Sequence, residues 1–230
     1  MKRSFAIVAA IALAASMLLG SCDAFFTSNL FGELDKPTAA EIAADKTSPD
    51  PEVNQPALAL DVKLSLEESG AQPIVDNLVS SLLADGATFD PSTDFTGFID
   101  TLIPENIRND DVAFAAAIDA LAASLTDLNL LAASVDSSGG EYAVEGMDVK
   151  GIAMTAVIST ILNEIQPQAG QGTIGEALVA AYNNPGSEST YIDIGSLDAD
   201  TLDTLAADPT IATLVGLAGI DLANLPGSGS

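Results

Sequence analysis

Along much of this chain apolar residues recur every three or four positions, the spacing that gathers them on one face of an α-helix. Ile74, Val75, Leu78, Val79, Leu82 and Leu83 form one such face, closed by Gly86. Asp90-Pro91 opens a second segment, with Phe95, Phe98, Ile99, Leu102 and Ile103 as its apolar stripe before Pro104. The longest run goes from Asp110 to about Val135 through Val112, Ile118, Leu121, Leu125, Leu128 and Leu131. Met147 to Ile165 is apolar on nearly every side, with Ile152, Val157, Ile158, Ile161 and Leu162. Its mid-chain position and its Asp148, Lys150 and Glu164 predict a buried central helix rather than a membrane span.

Polar residues punctuate these runs where helix ends need them. Thr173-Ile174-Gly175-Glu176 has the spacing of a capping box and opens a helix to about Tyr182. Asp208-Pro209 supplies a cap and a first-turn proline ahead of Ile211, Leu214, Val215 and Leu217, with Gly219 closing. Ser137 to Gly140 reads as a loop, Glu141 to Gly146 as a short extended piece, and Asn183-Asn184-Pro185-Gly186 as a turn. One stretch is ambiguous. Leu58, Leu60, Val62, Leu64 and Leu66 alternate as in a strand, while Leu58, Val62 and Leu66 also keep the four-residue spacing of a helix. The fold class expected is all-α, an irregular helical bundle or array of about six to eight helices.

The first residues follow another pattern. Lys2 and Arg3 precede an apolar run from Phe5 to Leu19 that Ser16 alone interrupts. That run is shorter than the ~20 apolar residues a bilayer span needs and has the length of a signal-peptide core. Leu19-Gly20-Ser21-Cys22 follows it, an aliphatic residue, two small ones and a cysteine. This resembles the lipobox of bacterial lipoproteins. The resemblance implies cleavage between Ser21 and Cys22, acylation of the Cys22 thiol, and membrane attachment in the cell envelope through that lipid. Cys22 is the single cysteine, so it has no disulfide partner within the chain. Residues 1–21 then form the signal peptide and 22–56 a lipid-anchored tether broken by Pro37, Pro49, Pro51 and Pro56. Residues 57–225 are the acidic helical domain and 226–230 a disordered tail. Inside the tether, Thr38-Ala39-Ala40-Glu41 has capping-box spacing and predicts a short helix. Phe25, Phe26, Leu30 and Phe31 make an apolar cluster that would sit at the bilayer interface or dock on the domain.

Charge narrows the partners. The chain carries 33 acidic and seven basic residues, and two of those seven, Lys2 and Arg3, lie in the leader. Nucleic acid and anionic lipid surfaces are poor partners, because binding them depends on Lys and Arg clusters, and no nucleic acid is expected to bind. A divalent cation or a basic protein surface would be attracted, so another envelope protein or a basic surface is the candidate partner, while the plainer reading of such charge is a strongly charged, soluble surface.

Candidate chemistry is sparse. The chain has no histidine, and Cys22 is committed to the anchor, which excludes Ser-His-Asp and Cys-His catalysis and the usual zinc sites. No catalytic residue, metal or cofactor is expected. Asp198, Asp200 and Asp203 lack the glycine and glutamate of a calcium loop and read as helix-start residues. Gly170-Gln171-Gly172-Thr173-Ile174-Gly175 matches the dinucleotide fingerprint, but no strand-helix-strand pattern surrounds it, so it reads as a helix-to-helix connection. Arg108 and Lys150 are isolated cations expected in surface ion pairs. These exclusions favour a non-enzymatic structural or protein-binding role. The alternatives are a carrier for a small hydrophobic ligand, marked by an unfilled cavity, and a hydrolase, marked by two close carboxylates in a cleft.

Overall fold

The structure, a computed structural model, describes residues 37–82, 95–143, 149–193 and 207–219. Outside the described residues lie Ser21, Cys22 and the rest of the leader, the Phe25 to Phe31 cluster, and Leu83, Gly86 and Asp90-Pro91. The same holds for 144–146, Asp198, Asp200, Asp203 and the tail 226–230.

The all-α class is observed. Among the described residues there are nine α-helices and one two-stranded ribbon. Helix α1 (Ala39–Asp45) starts with the expected capping box, Thr38 and Glu41 each satisfying the other's backbone N–H. Helix α2 (Pro51–Ser69) is capped by Asp50, carries Pro51 in its first turn and ends at Gly70 in the left-handed conformation. Its backbone resolves the ambiguous stretch as helix, with Ala57, Leu58, Ala59, Leu60, Val62 and Leu66 buried and Leu64 half-buried. The expected boundary after residue 56 falls inside this helix. Pro56 sits inside α2, and Gln55 just before it is fully buried. A proline there removes one i→i−4 hydrogen bond, and burial of Leu58 and Ala59 in the next turn outweighs the loss. Among the described residues, α1 and the first turns of α2 therefore lie within the segment read as tether.

Helix α3 (Gln72–Leu82) buries Ile74 and Val75, and α4 (Phe95–Leu102) buries Phe95, Ile99 and Leu102. Pro104 does more than end α4: it starts the single turn α5 (Glu105–Arg108), one element more than the periodicity marks. Helix α6 (Asp111–Ser137) is capped by Asp110, whose carboxylate accepts from the Val112 and Ala113 amides. Helix α7 (Val149–Glu164) is the predicted core helix, with every residue from Gly151 to Leu162 buried. Ribbon strands β1 (Gln166–Pro167) and β2 (Ile192–Asp193) pair antiparallel, Gln166 opposite Asp193. Between them run α8 (Ile174–Asn183) and a 3-10 turn (Glu188–Thr190); α9 (Pro209–Leu217) follows, capped by Asp208.

Two helices organise the rest. Helix α6 packs against α2, α7, α8 and α9, and α7 additionally meets α3. By length and composition α6 is apolar enough to cross a membrane, with 39% of its apolar window buried inside the fold, and it carries Asp119 and Asp127. At the α6–α7 contact the buried Ser159 hydroxyl donates to the Leu121 carbonyl at 2.6 Å. Across α2, the fully buried Gln55 amide clamps the chain after α6, donating to the Glu141 carbonyl and accepting from the Ala143 amide.

Candidate functional site

The glycine-rich segment has the geometry of a turn into a helix. Gly170 and Gly172 take φ of 89° and 80°, and α8 begins two residues later. A phosphate site needs free N–H groups at such a helix start. Here they are already used. The Glu176 amide donates to Thr173 Oγ1 at 3.2 Å, and the Thr173 amide to the Glu176 carboxylate at 3.1 Å. The Gly175 amide donates to the Asp119 carboxylate of α6 at 2.8 Å. Two carboxylates thus occupy the positive end of the helix dipole, where a phosphate would otherwise lie. The residue pair before the segment is an antiparallel ribbon strand rather than a parallel one.

Arg108 joins the ion pair expected of it, and more. Its Nε donates to the Ile103 carbonyl at 2.6 Å, and its guanidinium pairs with Asp100 and donates to Tyr182 Oη at 2.8 Å. Tyr182 in turn donates to Asp100 at 2.7 Å, and its ring meets Phe114 edge-on with centroids 5.9 Å apart. The group ties α4, α5, α6 and α8 together. Lys150 lies half-buried in the first turn of α7.

The structure brings together one trio that no local spacing marks. Lys46, just past α1, places its ammonium 2.5 Å from the Asp61 carboxylate of α2 and 2.7 Å from that of Asp127 of α6. Burial disfavours all three charges. For Lys46 and Asp61 the opposite charges outweigh it, so the lysine pKa is raised and the Asp61 pKa lowered. For Asp127 burial, reinforced by Asp61, wins over Lys46 and the pKa is raised. Two carboxylates thus lie close together, as a hydrolase would need, but both are engaged by the Lys46 ammonium. Among the described residues no group of three or more His, Cys, Asp or Glu side chains is placed to hold a metal ion.

An apolar cavity of about 30 Å³ lies among α3, α4, α7 and α8, lined by side chains that include Ile74, Phe95, Ile103, Ile158, Ile161 and Leu178. Its size decides its meaning. A dry cavity of ~150 Å³ is what accommodates a molecule as small as benzene, so this one has no room for a hydrophobic ligand. Comparison of the chain with protein-family models, with curated proteins and with solved structures finds no match.

Proposed function

We propose that this protein is a lipid-anchored component of a bacterial cell envelope with a non-enzymatic structural or protein-binding role. The carrying observation is the sequence Leu19-Gly20-Ser21-Cys22 after a short cationic start and an apolar run of signal-peptide length. The fold supports a non-enzymatic role: the Arg108, Lys46 and α8 N-terminal groups each spend their polar atoms holding helices together. Attachment at Cys22 leaves the acidic helical domain facing water near the membrane, where its charge favours a basic protein surface.

Labelling cells with a radioactive fatty acid tests the anchor. Label is expected on the wild-type protein and absent from Cys22→Ala, which should be released or left unprocessed. A Cys22→Ala protein still cleaved and membrane-bound would sink the anchor. Native mass spectrometry of the mature protein from its own membrane tests the role. The expected mass is the acylated chain, alone or with another protein, whereas a bound small hydrophobic molecule would turn the reading to a carrier.

A further inference from the structure

Helix α1 is held to the domain by little. Ile42 is its one buried residue, and Ala39, Ala40, Glu41, Ala43, Ala44 and Asp45 are exposed. Among the described residues its other side-chain attachment is the Lys46 bridge, which reaches α2 through Asp61 and α6 through Asp127. Thr47 and Ser48 still bond back to α1, the Thr47 amide and hydroxyl to the Ala44 carbonyl and the Ser48 amide to the Asp45 carbonyl, but from Ser48 onward the chain has anchors of its own. The Asn54 side-chain amide donates to the Ser48 carbonyl at 2.9 Å, and Asp50 caps α2. A seven-residue helix does not sustain itself in water once its contacts are lost.

We propose that α1 is a releasable strap: the Lys46 bridge and Ile42 hold residues 37–46 against α2 and α6, and their release frees this segment while everything from Asp50 onward stays folded. The hinge is Thr47-Ser48. Freed and extended, residues 37–46 add up to ~35 Å of reach on the side toward Cys22. That consequence for distance from the membrane rests on the lipid-anchor reading; the opening itself does not. Elements joined by few buried contacts open locally at a fraction of the global unfolding free energy.

Amide hydrogen exchange of the full-length protein in detergent at neutral pH reads the opening directly. The variants are Lys46→Met, which keeps the apolar stem and removes the ammonium, and Ile42→Ala, which leaves every charge in place. In the wild type the Ile42 to Lys46 amides are expected to exchange at least ~10-fold faster than those of α6 and α7. Each variant should speed α1 by a further ~10-fold and leave α6 and α7 unchanged. The strap is overturned if α1 is as protected as α6 and α7 in the wild type, or if both variants accelerate all three helices together. The intact mass taken in the same experiment reports the acyl groups separately, so an unmodified Cys22 would remove the membrane consequence without touching the exchange result.

Discussion

Gly175 of α8 lies against Ala115 of α6 so closely that a Cβ on the glycine would stand 2.2 Å from the Ala115 carbonyl oxygen. The obstructing atoms are backbone and cannot turn aside. Glycine inside a helix ordinarily costs ~1 kcal/mol relative to alanine, and here the helix approach reverses that preference. Gly175→Ala is expected to lose ~1–3 kcal/mol through overpacking. Gly216 in α9 is the control: a Cβ there meets nothing within 4 Å, so Gly216→Ala should gain ~0.5–1 kcal/mol. Urea unfolding of both variants measures the pair, and a stabilised Gly175→Ala would mean that α6 and α8 do not approach as described.

Gln55 carries a second prediction. Its amide is fully buried and both ends are in use, at 3.2 Å to the Glu141 carbonyl and 2.8 Å from the Ala143 amide. Gln55→Ala would strip partners from two backbone groups and open a void, so a loss of ~2–3 kcal/mol is expected. Gln55→Glu keeps the acceptor for Ala143 but sets a carboxylate against the Glu141 carbonyl, and should fare no better near pH 7. Thermal melts of both variants check this, and a Gln55→Ala protein with unchanged melting would remove the clamp from the account.

Such pairings explain what could be read from the residues beforehand. Helix faces were legible because burial imposes its own rhythm, as with Ile118, Leu121, Leu128 and Leu131, all buried in α6. Caps were legible because their partners lie two or three residues away, as with Thr38, Thr173 and Asp208. The Lys46 trio was not, since its bonds join residues 15 and 81 positions apart and only folding makes them neighbours. The helix through Pro56 was hidden for a related reason. Proline disfavours a helix locally, and the burial that overrides it comes from helices far along the chain.

The opposed shifts at Asp61 and Asp127 predict unequal variants. Asp61 has a folded pKa below the ordinary 3.8, so it adds stability above that value, lost as pH falls through the lowered pKa. Asp127 has a raised pKa, so the folded state binds its proton more tightly than the unfolded one does, and its ionisation detracts from stability as pH rises. At pH 7 Asp61→Asn should cost only ~0.5 kcal/mol, because the side chain is 41% exposed and screened by water. Asp127→Asn should cost less or stabilise. The Asp61→Asn deficit should vanish in acid below the lowered pKa. Urea titrations at pH 7 and in strong acid check this, and the assignment fails if Asp127→Asn is the more damaging at neutral pH.

The charge imbalance leads to a prediction about salt. With 33 acidic residues against seven basic ones, the folded chain repels itself, and compaction concentrates that repulsion. Attraction among the described residues includes the Lys46 and Arg108 bridges, whose cations are only 18–21% exposed, and Lys63, which lies 3.7 Å from Glu67. Raising ionic strength from ~10 mM to ~1 M shortens the screening length from ~30 Å to ~3 Å. That abolishes repulsion between distant surface carboxylates, while partly buried pairs at contact distance keep most of their attraction. The melting temperature should therefore rise with sodium chloride, by ~3 °C for each kcal/mol of repulsion relieved. Chloride and sulfate salts compared at equal ionic strength separate screening from the general stabilisation that sulfate gives by exclusion. A melting temperature that fell with sodium chloride would mean that the few ion pairs outweigh the many repulsions, and that Lys46 and Arg108 matter more to the fold than the net charge does.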